Sequence, residues 1–313
     1  MRVLRRLPPL IGTLIAVSIL TFLLTALLPG DPAVQILGAQ SATPEAVAQV
    51  RAELRLDQPL PNQYWHWISD AVTGDFGRSY RTGQEVSEAI VERLPVTLQI
   101  GAMAIGFALL FAVPLGMLSA YRAGGALDRG VTGGTFTLLA IPNFMMAILL
   151  ILIFAEILGW LPATGWVRLS DDPAANLRAA LLPALSITMA ELAVYTRLLR
   201  SDMISTLQED YIAVSRAKGM PTWWILLRHA LRPSSFSLLT VVGVQIGAII
   251  SGSVIIETLF ALPGVGRLLV DSIFQRDLIM VQGIALVVAV SYVIVNFIVD
   301  ILYSYLDPRI RRG

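Results

Sequence analysis

Six apolar runs, near residues 10–28, 97–120, 131–157, 181–199, 236–256 and 281–303, restrict the fold of this chain more than any other feature. Each comes close to the roughly 20 helical residues needed to cross a hydrocarbon core. Inside lipid the backbone must satisfy its own polar groups, so apolar runs of this length imply helices and an all-α fold. Only 14% of the 313 residues are charged and the mean hydropathy is +0.71, whereas soluble domains are about a quarter charged. The expectation is a polytopic membrane protein with six transmembrane helices and both termini on the same side.

Cations orient it. Arg2, Arg5, Arg6, Arg122, Arg129, Arg197, Arg200, Arg216, Lys218, Arg228, Arg232, Arg309, Arg311 and Arg312 fall on one set of connecting segments. Arg51, Arg55, Arg78, Arg81, Arg93, Arg168, Arg178, Arg267 and Arg276 are spread over the longer loops of the other set. The denser set is expected to be cytoplasmic, and both termini with it. Several chemistries are excluded. Without cysteine there is no disulfide, thiolate nucleophile or Cys-ligated metal. The two histidines, His66 and His229, fall on opposite sides of the expected topology, so no multi-His metal site forms within one chain. The single lysine, Lys218, follows Ala217 and precedes Gly219, so the chain has no phosphate-binding G-K-[ST] loop. If ATP powers this protein, another subunit hydrolyses it.

Residues 1–28 read as an N-terminal tail and an uncleaved first span, because the apolar run is longer than a signal core and ends in Leu28-Pro29-Gly30-Asp31-Pro32 without a small-residue cleavage pattern. Residues 29–93 read as an external, periplasmic-side segment, in which Thr43-Pro44-Glu45 starts a helix with a Val47, Val50, Leu54 face. Trp65 and Trp67 flank His66 and suit either interfacial anchoring or solute contact. Residues 94–313 form the transmembrane core. Pro114 and Gly116 in the second run, and Pro142 followed by Asn143 in the third, free backbone groups that suit a moving pathway or ordinary bundle packing alike. Glu191 lies near the middle of the fourth run. A lipid-facing carboxylate there would cost about 2.5–3.5 kcal/mol, so it should face the bundle, as a pathway or gating group or as a hydrogen-bond partner of a neighbouring helix. After the fifth run, Pro263, Gly264 and Gly266 are expected to form a tight turn at the outer surface.

Between the fourth and fifth runs lies a polar, Arg-rich island, residues 201–233. It reads as two short helices broken at Gly219 and Pro221. In the first, about 202–218, the spacing places Ile204, Leu207, Tyr211 and Val214 on one face and the small Ala213 and Ala217 on another, where a partner surface can approach the backbone.

Here the chain resembles the permeases of ABC importers. Asp210-Tyr211-Ile212-Ala213-Val214-Ser215-Arg216-Ala217-Lys218-Gly219 is similar to their cytoplasmic EAA loop, most closely in its dipeptide and oligopeptide version, with Ser215 in place of an alanine and Pro233 one residue late. Further likenesses are Leu56-Asp57-Gln58-Pro59-Leu60-Pro61, Gly74-Asp75-Phe76-Gly77-Arg78-Ser79 and Glu257-Thr258-Leu259-Phe260-Ala261-Leu262-Pro263-Gly264-Val265-Gly266-Arg267-Leu268. Another is the ending with Asp300, Tyr303 and Asp307-Pro308-Arg309-Ile310-Arg311. They extend over nearly the whole chain and resemble the longer-loop B-type permease of the peptide and nickel family.

The resemblance implies the six-helix type I permease fold in the bacterial inner membrane, half of a translocation pathway, and no catalytic, cofactor or metal site in this chain. It implies ATPase coupling through Glu209, Asp210, Tyr211, Ala213, Arg216, Ala217, Lys218 and Gly219. Pathway or gate candidates are Glu191, Pro142, Asn143, Glu257, Phe260, Pro263, Gly264 and Gly266. Implied partners are a second homologous permease, two ATPase subunits carrying ATP and Mg2+, an extracytoplasmic peptide-binding protein and the lipid bilayer, with no nucleic acid. Peptides are the expected solute, with nickel or another small solute as the alternative; scattered methionines do not form a metal cluster on any run. A stand-alone secondary transporter would need several deep ionisable groups or repeated halves, and an enzyme would need a nucleophile–base or metal constellation.

Overall fold

The structure, a computed structural model, describes residues 2–26, 31–37 and 42–306. Among them the regular structure is helical apart from a single antiparallel bridge between Arg78 and Glu85. In order the helices are α1 (Arg2–Ala26), α2 (Pro32–Leu37), α3 (Pro44–Glu53), α4 (Leu60–Val72), α5 (Val86–Tyr121), α6 (Ala126–Ala140) and α7 (Asn143–Leu150). Then follow α8 (Pro173–Thr206), α9 (Asp210–Ala217), α10 (Thr222–Trp224), α11 (Leu231–Gly252), α12 (Val254–Leu259), α13 (Val265–Phe274) and α14 (Leu278–Leu306). Two stretches widen into π-helical turns, Ile151–Ile157 after α7 and Ile225–Ala230 between α10 and α11.

The expectation of six transmembrane helices of the type I permease fold is corrected by the helices themselves. Among the described residues three are long and apolar enough to cross a membrane, Val86–Tyr121, Pro173–Thr206 and Leu278–Val299, or up to four if one bent pair counts as a span. Three causes separate the helices from the runs. Among the described residues the apolar part of α1 is Leu7–Leu23, shorter than a span. The third run is bent by 101° between Ala126–Ala140 and Asn143–Ile157, at Pro142, whose ring disfavours helical geometry in the residue before it. The fifth run falls in α11, which begins with Leu231-Arg232-Pro233-Ser234-Ser235 and gives way to α12 after Ser253. Leu28-Pro29-Gly30 and the ending from Asp307 lie outside the described residues.

The chain divides into two compact units, Met1–Thr97 with Pro263–Ile294, and Leu98–Leu262 with Val295–Gly313. In the first, α3 starts where the Thr43 side chain accepts a hydrogen bond from Ala46 N at 3.2 Å and Pro44 takes the first turn, the pairing that best satisfies a helix N-terminus. Val50 is buried with Val47, Leu54 and Ala33 around it. Phe22 of α1 packs edge-on against Tyr64 of α4 at 5.5 Å, and Ser18 Oγ lies 2.7 Å from the Tyr64 hydroxyl. The start of α5 packs against α14 through Val86, Ile90, Met280 and Ile284. The approach is close because position 283 is glycine: a Cβ there would lie 2.5 Å from Val86 Cγ1. Ser79 Oγ donates to the Asp277 carboxylate, and Val265 N donates to Thr97 Oγ1 at 3.0 Å.

The second unit is built around α8, which packs against α6, α7 and α11. Ala179, Ala180, Ala184 and Ala193 are among its buried residues, and such small side chains let helices approach where lipid supplies no hydrophobic drive between them. Gly116 of α5 meets α8 in the same way, its missing Cβ 3.1 Å from Thr196 O. Gly243 of α11 leaves no room at all beside Val299 Cγ1, which would be 2.2 Å from a Cβ.

Candidate functional site

The polar island takes a different helical course from the one its spacing predicts. Instead of one helix over 202–218, α8 continues to Thr206, Leu207-Gln208-Glu209 forms a turn, and α9 begins anew at Asp210. The break rotates the later residues. Ile204 and Leu207 pack against the core cluster, whereas Tyr211 and Val214, expected on the same face, are exposed, and Ile212 and Ser215 are buried in their place. Ile212 joins Ile225, Leu226 and Ala230 in that cluster, which seats α9 on the π-helical stretch Ile225–Ala230. Ser215 Oγ donates to Tyr211 O at 2.8 Å, so the hydroxyl that replaces an alanine is satisfied within α9.

The expected break at Gly219 and Pro221 is present, and its geometry is specific. Gly219 has φ +74°, Gly219 N donates to Arg216 O at 2.9 Å and Met220 N to Ser215 O at 3.3 Å. This paired closure ends a helix on a left-handed residue, which glycine adopts at least cost. Asp210 in the first turn and Arg216 in the last complement the helix dipole. Of the eight coupling candidates, Glu209, Asp210, Tyr211, Ala213, Arg216, Ala217, Lys218 and Gly219 are all exposed. They form one polar and small-residue surface on α9 and its ends. Beside them Trp223 and Leu227 are exposed large apolar residues, Trp223 and Trp224 stack edge-on at 5.3 Å, and Arg228 lies 5.4 Å over the Trp224 ring. Partial burial, and then the Glu209 carboxylate, raise the Tyr211 phenol above its ordinary pKa.

The pathway candidates are divided between the two units. Glu191 is buried on α8, and Gln245 Nε2 of α11 donates to its Oε1 at 2.8 Å. The Tyr195 hydroxyl, also on α8, faces this carboxylate, and among the described residues the Thr196 hydroxyl has no hydrogen-bond partner. Pro142 and Asn143 are exposed at the 101° bend before α7. Glu257 and Phe260 are buried in the second unit, with Ser253 Oγ donating to Glu257 Oε1 at 2.9 Å. Pro263, Gly264 and Gly266 belong to the first unit. Where the tight turn is expected, the left-handed residue is Ala261, φ +53°, while Gly264 is extended and Gly266 lies inside α13.

Two groups escaped the sequence reading. Asp128, at the start of α6, accepts from Ser119 Oγ, from Gly124 N at 2.8 Å, and from Arg200 Nε and Nη2, the latter at 2.7 Å. This buried carboxylate clamps α5, α6 and α8 together, and Arg200, counted above among the loop cations, is its partner. The only sequence signal was an acid three residues past Gly125 in a helix first turn. Gln245, the partner of Glu191, carried no signal beyond an amide in an apolar run.

With this geometry established, comparison with known proteins places the chain in a class. Residues 112–312 match the model of binding-protein-dependent transport system inner membrane components, and residues 1–101 match that family's N-terminal model. The chain belongs to this family; it is a membrane permease subunit of a transport system and not an enzyme. A Brucella abortus protein named as a peptide transport system permease is 41% identical over 309 residues, 99% of this chain and 98% of that protein. The glutathione transport system permease protein of Salmonella typhimurium is 38% identical over 314 residues, again 99% and 98%. One chain of a solved amino acid ABC transporter crystallised with histidines shares the fold at a TM-score of 0.50 with 13% identity, over 71% of this chain and 94% of that one. Among the described residues no cluster of His, Asp and Glu is arranged to hold a metal ion.

Proposed function

We propose that this chain is the B-type permease subunit of an ATP-driven importer of short peptides, forming half of the translocation pathway. The observation that carries the reading is α9: an exposed polar and small-residue surface, anchored from behind by the fully buried Ile212 and closed by Gly219. A helix so mounted is suited to sit in a cleft of a separate ATPase and to pass its movement through Ile225–Ala230 into α11. The relatives named for peptide and glutathione transport support a peptide solute, glutathione being itself a tripeptide.

On this reading the cation-rich segments, including residues 201–233 and both termini, face the cytoplasm of a bacterial cell. Residues 1–28 anchor the chain, 29–93 form an external segment, and 94–313 form the permease core. ATP and Mg2+ are handled by two partner ATPases, a second permease completes the pathway, and an extracytoplasmic binding protein delivers the peptide. Glu191, Pro142, Asn143, Glu257, Phe260, Pro263, Gly264 and Gly266 remain the pathway or gate residues of this proposal.

The test is a reconstituted complex with the partner subunits. Ala217→Arg and Gly219→Val are expected to leave the permease pair inserted while cutting both peptide uptake and peptide-stimulated ATP hydrolysis at least tenfold. Uptake and peptide-stimulated hydrolysis that both stay at the unmodified level in these variants would count against coupling through α9.

A further inference from the structure

Helix α4 presents three faces. Tyr64 and Trp67 form the first, packed on α1, with ring centroids 5.5 and 5.8 Å from Phe22 and the Tyr64 hydroxyl 2.7 Å from Ser18 Oγ. Asn62, Ser69 and Asp70 form the second, which is polar and exposed. The third is a stripe of Pro61, Trp65, Ile68 and Val72, spaced by four, three and four residues and so aligned along one side of the helix. This stripe is apolar throughout, yet the protein leaves it largely open: Trp65 is 69% exposed and Val72 81%.

The position of α4 on α1 says what covers the stripe. In α1, Ile11, Ile15 and Ile19 recur every fourth residue and are exposed, and on the reading of residues 1–28 as a membrane anchor they meet lipid. Ser18 and Phe22, which hold α4, lie at the C-terminal end of the apolar part of α1, Leu7–Leu23. That seat places α4 at the level where hydrocarbon gives way to headgroups. A helix of 13 residues is about 20 Å long, too short to cross the bilayer but suited to lie in this boundary, where indole rings concentrate. Helix α4 carries neither Lys nor Arg, so apolar burial rather than attraction to anionic lipid has to hold it there.

We infer that α4 is an interfacial helix that lies on the outer leaflet of the bilayer, with Trp65, Ile68 and Val72 inserted and Asn62 and Ser69 in water. Of the two indoles that flank His66, Trp65 is the membrane anchor and Trp67 the packing residue against α1. The external segment 29–93 is thereby fixed to the membrane surface at a second place besides α1. The inference rests on the reading of residues 1–28 as an anchor and of 29–93 as external.

Because the chain has no cysteine, a single introduced cysteine reports one position. The experiment is spin labelling of the full-length protein carrying Trp65→Cys, Val72→Cys, Asn62→Cys, Ser69→Cys or Ile15→Cys, in phosphatidylcholine vesicles. Collisions of each label with oxygen, which concentrates in lipid, and with a water-soluble nickel chelate are read by electron paramagnetic resonance. The oxygen-to-nickel ratio at 65 and 72 is expected to exceed that at 62 and 69 by about threefold or more, with 15 higher still. All five positions are exposed, so the seat of Tyr64 on Ser18 and Phe22 is kept, and each face is reported by two labels. Equal ratios around α4, with Ile15 in lipid, would overturn the inference and leave the anchor standing. A water-exposed label at Ile15 would overturn the anchor and this inference with it. Slow collisions with both reagents at 65 and 72, in the chain alone or assembled with its partner subunits, would overturn it in favour of a protein surface covering the stripe.

Discussion

At the residue scale, the strongest single dependence is Asp128. Its carboxylate is only 5% exposed in the pair with Arg200 and accepts five hydrogen bonds, the longest from Thr132 Oγ1 at 3.5 Å, so its removal strands a guanidinium that has lost its counter-charge. Asp128→Ala should cost about 3 kcal/mol, read as a lower midpoint of detergent unfolding, and the Asp128→Ala, Arg200→Ala pair should cost less than the sum of the two single changes. Gly243 is a steric dependence: with Val299 Cγ1 2.2 Å from its ideal Cβ, Gly243→Ala should destabilise by about 1–3 kcal/mol, and Val299→Ala in the same chain should recover most of it. Tyr80 is a protonic one. Burial, and then its hydrogen bond with Glu53, raise its pKa in the folded chain. The stability it contributes is therefore complete below the ordinary tyrosine pKa of about 10 and falls as pH rises beyond that value. Tyr80→Phe should remove one late-ionising phenol from an ultraviolet titration and flatten the stability profile above that pH. None of these three was readable beforehand. Asp128 and Arg200 are 72 residues apart in sequence, Gly243 gains its meaning only from Val299, and Tyr80 only from Glu53.

At the element scale, starts and stops with local chemistry were legible and those set by packing were not. Thr43-Pro44 marked the start of α3, and Gly219 with Pro221 marked the end of α9, because a side-chain cap and a left-handed glycine act within a few residues. The break between α8 and α9 was missed because Leu207-Gln208-Glu209 contains neither glycine nor proline and the apolar spacing continues through it. Burial of Ile212 against Ile225 and Leu226 decides that break, a tertiary contact outweighing local periodicity. In the turn before α13 the left-handed residue is Ala261, which no local residue type marked. A direct check lies at Gly219, where nothing lies within 4 Å of an added Cβ and φ is +74°. The cost of Gly219→Ala is then backbone strain alone, about 1–2 kcal/mol. Hydrogen exchange of the 210–220 peptide should accelerate in Gly219→Ala and stay closer to the unmodified chain in Gly219→Asn.

At the scale of the whole molecule, composition and family likeness were legible while the number of spans was not. Apolar runs report burial or lipid contact but not continuity, so with a 101° bend at Pro142 and a polar start to α11 the described residues hold three long apolar helices, or four with the bent pair, where six runs were read. Membership of the binding-protein-dependent permease family rests on matches over 1–101 and 112–312, and the motifs that resembled it lie in both. The proposed machine depends on one surface, α9, meeting an ATPase that this chain lacks. Affinity purification of the chain from its native membrane in mild detergent, with and without Ala217→Arg, followed by mass spectrometry of its companions, tests that dependence most directly. A phosphate-loop ATPase and a second permease should accompany the unmodified chain, and the ATPase should be lost from the variant while the permease partner stays. Recovery of the chain alone, moving solute in vesicles without ATP, would contradict it.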